Sequence, residues 1–246
     1  MKISFYGHAA TILSNQDGEP VIATDPWLVG SCYWRSWWLE RPPTESQFSE
    51  FKRAKYIYVT HEHPDHFHFP SIRLIGKSPT YLFADQSHKT NFRFLKKHGF
   101  KAKEIQACQW TELDEDIKIM SIPNWNDDSC ILILTPSAAI INMNDSRFSK
   151  RKLKKISALL DQVTLPRVLC QSYSPASFIF NFFHEEKRLT VVRKQRYIDM
   201  ALDNCKFLRA DFFVPFASQN IFLRDDSSWA NDFKVTYSEL KSNWSG

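Results

Sequence analysis

Glycine is scarce in this chain, six residues among 246, so few of its turns can rest on the left-handed backbone that only glycine adopts cheaply. No CxxC pair occurs. The five cysteines, Cys32, Cys108, Cys130, Cys170 and Cys205, are dispersed and odd in number. Three of them sit in strand-like runs, where cysteine behaves as a small apolar residue. That usage predicts a reduced, cytoplasmic protein and excludes a disulfide framework or a zinc ribbon. No apolar run approaches the length that spans a bilayer, and the alternating start from Met1 to His8 lacks the apolar core of a signal peptide. Charge of one sign is also missing: a net +5 is too weak to argue for nucleic acid, though it suits a small anionic substrate. With no repeat or low-complexity linker, residues 1–246 read as a single domain.

Aromatic residues are abundant. Phe (20) and Trp (8) are heavily used, and 43% of the chain is hydrophobic, which predicts a folded core with aromatic packing or an aromatic-lined cleft. The most informative stretch is Thr60-His61-Glu62-His63-Pro64-Asp65-His66, directly after the strand-like run Ala54 to Val59. A strand delivers its last residues to one sheet edge, and an irregular loop there can turn His61, His63, Asp65 and His66 toward one point. Neutral imidazole with carboxylate is a ligand set for zinc, iron or manganese. The competing reading is a histidine-rich surface loop.

The periodicities predict strands at Lys2 to Tyr6, Ala10 to Leu13, Pro20 to Thr24 and Lys55 to Val59. Further strands are predicted at Glu104 to Gln109, Asp116 to Pro123, Cys130 to Thr135, Ala138 to Met143, Arg167 to Gln171 and Phe212 to Phe216. Helices are predicted at Glu45 to Lys52, Ser87 to His98 before Gly99, Ser149 to Gln162 and about Glu185 to Leu208. Trp27 to Trp38 reads as an irregular flap, and the chain after Phe216 as a polar tail. The pattern is an α/β layered fold.

Four landmarks, in order, resemble the metallo-β-lactamase superfamily: Gly7-His8-Ala9, Asp25-Pro26-Trp27, the His61 to His66 run, and Asn144-Asp145-Ser146 closing a later strand. The opening pair looks like the branch holding ascorbate-6-phosphate lactonase and the phospholipases D acting on N-acyl phosphatidylethanolamine. Asp25 to Gly30, Trp37-Trp38 and Val214 to Ser218 look like the non-Rieske part of CMP-N-acetylneuraminate hydroxylase. The resemblance implies a four-layer αββα sandwich of the metallo-β-lactamase fold, with one or two metal ions at a sheet edge. It places His61 and His63 on the first ion, Asp65 and His66 on the second, and Asp145 between them, with Asp65 or Asp145 orienting the reacting water. Two histidines that it implies are not found, one near Ile122 to Ser129 and one after the proline of the final strand, where Phe216 stands. Asn124, Asn126 or Asp127 would substitute weakly through oxygen. His184 would have to swing in, and a capping or surface role is its simpler account.

Three functions follow from that reduced ligand set. The first is a metal-dependent hydrolase acting on a small anionic, sugar-like or nucleotide-sugar-like substrate through a metal-bound hydroxide, with zinc the expected metal and iron or manganese the alternatives. The second is an iron-dependent oxygenase built on two imidazoles and a carboxylate, which would need a separate redox partner because no Rieske ligands are present. The third is a degenerate, non-catalytic binding module. His8 reads either as a residue hydrogen-bonded to a ligand or substrate, or as an ordinary buried strand-end histidine; His68 reads as a surface residue. The basic run Arg147 to Lys155 reads as an anion-receiving helix start or as a solvated face. Trp34, Arg35, Trp37 and Trp38 read as a lid or stacking surface, or as simple packing.

Overall fold

The computed structural model describes residues 1–85, 89–125, 127–175 and 194–244. Asn126, His184, Ser87 and the first part of the long helix predicted from Glu185 lie outside the described residues. Fifteen strands and six α-helices are described, most of the strands in two six-stranded sheets.

The first sheet has the order β1 (Lys2–Tyr6), β2 (Ala10–Ser14), β3 (Pro20–Thr24), β6 (Tyr56–Val59), β7 (Thr80–Ala84), β8 (Ala102–Ile105). The second runs β14 (Phe212–Pro215), β13 (Arg167–Gln171), β12 (Ala139–Asn144), β11 (Ser129–Leu134), β10 (Ile117–Pro123), β9 (Thr111–Asp114). Side chains alternate across a strand, and the apolar contacts follow that alternation. Ile57 and Val59 pack outward with Phe51 of α1 (Glu45–Arg53), Ile72 of α2 (Phe69–Ile75) and Leu95 of α3 (Thr90–Lys97). Tyr58, between them, points inward to the layer shared by both sheets, among Ile22, Leu82, Ile119, Ile131 and Ile140. On the far face of the second sheet, Met120, Leu132 and Ile141 pack on Leu153 and Ile156 of α4 (Lys150–Leu160) and on Leu208 of α5 (Lys194–Leu208). The order is helix, sheet, sheet, helix: the αββα sandwich that the sequence led us to expect. Each buried Leu or Ile contributes on the order of 1.5–3 kcal/mol to holding these layers together.

The first sheet turns parallel from β3 onward, with β3, β6, β7 and β8 running together. Parallel strands deliver their C-terminal ends to one edge, where crossover loops can collect functional side chains. One polar tie crosses the apolar layer. The buried Tyr58 hydroxyl lies 2.8 Å from Ser121 Oγ and 2.7 Å from Ser129 Oγ, and Ser129 Oγ donates to Thr60 O at 2.6 Å. The second sheet is thereby tied to the residue that begins the histidine run.

Several expectations need correction. The Trp27 to Trp38 flap is not irregular throughout: β5 (Trp37–Leu39) pairs with β4 (Ser31–Cys32) on one side and β15 (Asn220–Phe222) on the other in a small third sheet. Trp27, Trp37, Leu39 and Phe222 form its core. The segment read as a polar tail is structured too, with β15, a 3-10 turn Ser228–Phe233 and helix α6 (Tyr237–Asn243), which carries a capping box built from Thr236 and Glu239. β7, β9 and α2 had no expected counterpart, and β8 begins at Ala102 rather than Glu104. β8 and β9 are four-residue strands at sheet edges, too short for a legible period of two. β7 is an interior strand buried on both faces, where no alternation shows. Among the described residues no helix is long and apolar enough to cross a membrane.

Candidate metal centre

β6 ends at Val59, and the chain then turns sharply: His66 N and Phe67 N both donate to His63 O, at 3.0 and 2.7 Å. That tight loop brings all four expected residues of the run to one edge. His61 Nε2 lies 2.9 Å from His63 Nδ1, and the His61 and His66 rings are 4.0 Å apart. Asp145 reaches them from the end of β12 in the other sheet. Its Oδ1 stands 3.7 Å from His61 Nε2 and 3.7 Å from His66 Nε2. Two donor groups result, with ligand atoms mutually within 4.8 Å: His61, His63 and Asp145 in one, His8, Asp65 and His66 in the other.

Local backbone conformations aim these side chains. Asn144 adopts φ 45°, and its Oδ1 accepts from Asp145 N at 2.7 Å and Ser146 N at 3.1 Å. Its Nδ2 donates to Ser129 O at 2.8 Å. Asn tolerates the left-handed region better than most residues because its side chain can bond locally. Asp25, at φ 40°, is fully buried. Its Oδ1 accepts from Thr60 N at 2.8 Å, and its Oδ2 accepts from Thr60 Oγ1 at 2.8 Å and sits 2.9 Å from His66 Nδ1. A carboxylate behind one ring nitrogen fixes the imidazole and leaves the other facing the centre. Here that other atom, His66 Nε2, is buried without a hydrogen-bond partner, as is Asp145 Oδ1.

Tyr33 was not anticipated as a site residue. It comes from the flap at φ 49°, followed by Trp34 and Arg35 at φ 53° and 67°. Three consecutive non-glycine residues in the left-handed region carry backbone strain, each on the order of 1–2 kcal/mol. The turn sends Tyr33 inward, where its hydroxyl donates to Asp65 Oδ1 at 2.6 Å, while Trp34 is left 86% exposed. No sequence signal marks Tyr33, because the contact spans 32 positions between loops. His68, expected at the surface, is buried and caps α2, its Nδ1 bonding Ser71 Oγ at 2.8 Å. It takes no place in either group. Of the residues considered as oxygen substitutes, Asn124 instead donates to Arg147 O, and Asp127 takes no part in either donor group. Asp128, which follows them, is buried with Oδ1 3.8 Å from His61 Nδ1.

The electrostatics follow from burial against charge. Desolvation pushes His61 down to about 4, with His66 adding to the shift, so at neutral pH its imidazole is neutral and its lone pair available. Burial opposes ionisation of Asp65 and Asp145, yet neighbouring imidazoles more than offset it: His66 and His8 at Asp65, His61 and His66 at Asp145. Both carboxyls titrate below the usual carboxylate range. Burial would likewise lower His66, but Asp65, Asp145 and Asp25 hold it well above the ordinary histidine value. The pocket thus concentrates carboxylate charge around one point, which a protonated His66 or a bound cation compensates. Burial pushes the Tyr33 hydroxyl up, reinforced by Asp65, so it stays protonated and donates to that carboxylate.

Gly7 shapes the same corner. It takes φ +68° at the turn between β1 and β2, and a β-carbon there would sit 3.1 Å from Leu39 Cδ2. Gly7→Ala is expected to cost about 1–2 kcal/mol from the left-handed backbone alone, with added displacement of His8. Thermal denaturation of the variant, read by circular dichroism, checks this; an unchanged midpoint would contradict it.

Residues 2–123 match the family described as Beta-lactamase superfamily domain. Cytidine monophosphate-N-acetylneuraminic acid hydroxylase of Xenopus laevis is 28% identical over 153 residues, covering 59% of this chain and 26% of that protein. The chain therefore spans about a quarter of the length of the curated relatives it matches. Igni18, a metallo hydrolase from the archaeon Ignicoccus hospitalis KIN4/I, superposes with a TM-score of 0.64 at 17% identity, over 98% of this chain and 88% of that one. CmlA, a diiron beta-hydroxylase from Streptomyces venezuelae, gives a TM-score of 0.60 at 16% identity, over 87% of this chain and 44% of that one. At such identities these likenesses speak for the fold. In its αββα layers and in the match over residues 2–123, just under half of the chain, it is similar to the metallo-β-lactamase superfamily.

Proposed function

We propose that this protein is a metal-dependent hydrolase of a small anionic substrate. The observation that carries the reading is the placement of Asp145 Oδ1, 3.7 Å from both His61 and His66 and lacking a hydrogen-bond partner of its own. Buried polar atoms without partners are costly, and a divalent cation satisfies these. His61, His63 and Asp145 would hold one ion; Asp65 and His66, with Asp145 between, would hold a second. When bound, such an ion supplies a Lewis acid that polarises a carbonyl or phosphoryl oxygen and brings the pKa of water toward neutrality.

The chain's own residues do the rest. Asp25 and Thr60 orient His66, Tyr33 holds one oxygen of Asp65, and Asn144 sets the angle of Asp145. Asp145 is half-buried and His63 exposed, so a substrate approaches from that side, while the flap residue Tyr33 covers Asp65. Asp145 is the group placed to orient a water and take its proton. The basic run from Arg147 to Lys155 begins two residues beyond Asp145 and is largely exposed, which favours an anionic group on the substrate.

A second reading has its own support. The curated relatives are named as hydroxylases, and two imidazoles with one carboxylate is the ligand complement of non-haem iron oxygenases. Metal analysis of protein purified without added metal separates the possibilities. Two zinc or manganese ions per chain support the hydrolase, iron supports the oxygenase, and less than half an equivalent of any metal supports a non-catalytic binding module.

A further inference from the structure

We infer that His8 is a ligand of the second ion, supplying from the β1–β2 turn an imidazole that the final strand does not provide. This rests on the metal-dependent reading above and adds a residue to it.

The geometry is that of converging donors. Asp65 Oδ2 lies 3.1 Å from His8 Nε2 and 3.4 Å from His66 Nε2. Around a zinc ion with bonds near 2.0–2.1 Å, tetrahedral donors stand about 3.3 Å apart. All three side chains are buried, His8 and His66 almost completely. The second oxygen of Asp65 is already bonded to Tyr33, so Asp65 has an orienting partner without His8. His66 is held through Nδ1 by Asp25, which leaves its Nε2 directed at the same oxygen. Two ring nitrogens and a carboxylate oxygen thus meet at one point from two segments of chain, the β1–β2 turn and the loop after β6.

The location fits as well. After β14 the chain places Phe216 in the apolar layer between the sheets, so this segment offers no imidazole. The next residue donates directly to the His8 backbone, Ala217 N to His8 O at 2.9 Å. His8 therefore stands at the corner where the final strand meets the site. Its ring packs edge-on against Trp27 and Trp37, with centroids 5.6 and 6.2 Å away, and these contacts restrict its rotation.

Zinc titration of the full chain labelled with 15N-histidine tests the assignment. Four imidazole nitrogens are expected to move to metal-coordinated shifts, from His8, His61, His63 and His66; His8→Gln identifies which signal is its own. Metal content after desalting gives a second measure, with two ions per chain for the wild type and one for His8→Ala and for His8→Gln, circular dichroism confirming that each is folded. Glutamine keeps an N–H able to donate to Asp65, so a role limited to hydrogen bonding would leave His8→Gln with two ions. That result, or a His8 nitrogen unmoved by zinc, overturns the inference while leaving the metal-dependent reading intact. A wild type holding a single ion with His8 unmoved also overturns it. A wild type that binds no metal overturns both.

Discussion

Asp25→Ala is expected to be among the most damaging single substitutions in this chain, although Asp25 is not itself a proposed ligand. Its carboxylate is fully buried and serves Thr60 N, Thr60 Oγ1 and His66 Nδ1 together. Alanine leaves Thr60 N without its side-chain acceptor and strips the carboxylate from Thr60 Oγ1 and His66 Nδ1, which keep only their neighbouring side-chain contacts. Breaking a buried charged pair by removing one partner costs about 3–5 kcal/mol, and in a chain of this size that lowers the melting midpoint by on the order of 10 °C. The loss spreads to the site, because Thr60 begins the histidine run and His66 is aimed by this contact. Zinc affinity should fall by about 10- to 100-fold or more, the usual effect of removing the group behind a ligating imidazole. Differential scanning calorimetry and a zinc competition assay check the two halves. A variant with the wild-type midpoint and wild-type affinity would show that Asp25 is not the anchor described here.

The double substitution His61→Ala with His63→Ala is expected to give the opposite pattern: metal lost, fold kept. His63 is exposed, and His61, though buried, is held by bonds to Thr60 Oγ1 and His63, with Asp145 and Asp128 farther off at 3.7 and 3.8 Å. Its truncation leaves a small space beside an open site, a change of roughly 1 kcal/mol. Two of the three donors proposed for the first ion disappear, so affinity there should drop by more than about 100-fold, the upper range seen when only a supporting partner is removed. Activity on any hydrolysed substrate should fall with it. Metal content by elemental analysis, alongside far-ultraviolet circular dichroism, reads both effects. Retained metal at wild-type stoichiometry would sink the ligand assignment. The contrast with Asp25→Ala matters, because it separates residues that hold the loop from residues proposed to bind the cation.

Much of the fold was legible in the chain. β1, β3 and β13 lie within the residues expected, since each is a short apolar run flanked by turn or polar residues. α1 and α4 begin after Thr44 and Ser149, whose hydroxyls accept from Gln47 N and Lys152 N. Such local signals need no knowledge of distant contacts. The flap and the C-terminal segment were misread for the opposite reason. β5 has only the two-residue β4 as a local partner, and its other edge is paired by β15, nearly two hundred residues away; nothing near Trp37 encodes that second partnership.

The candidate site divides along the same line. The sequence alone determined which residue types gather at the end of β6, because His61, His63, Asp65 and His66 are neighbours in the chain and a single tight loop suffices to collect them. Only the tertiary structure decided what surrounds them: Asp145 arriving from the second sheet, Tyr33 from a strained turn, Asp25 behind His66, and His8 beside Asp65 where the final strand brings Phe216. The physical reason is range. Backbone propensity acts over a few residues, whereas a buried charge is satisfied by whichever groups the packing of the two sheets carries to it.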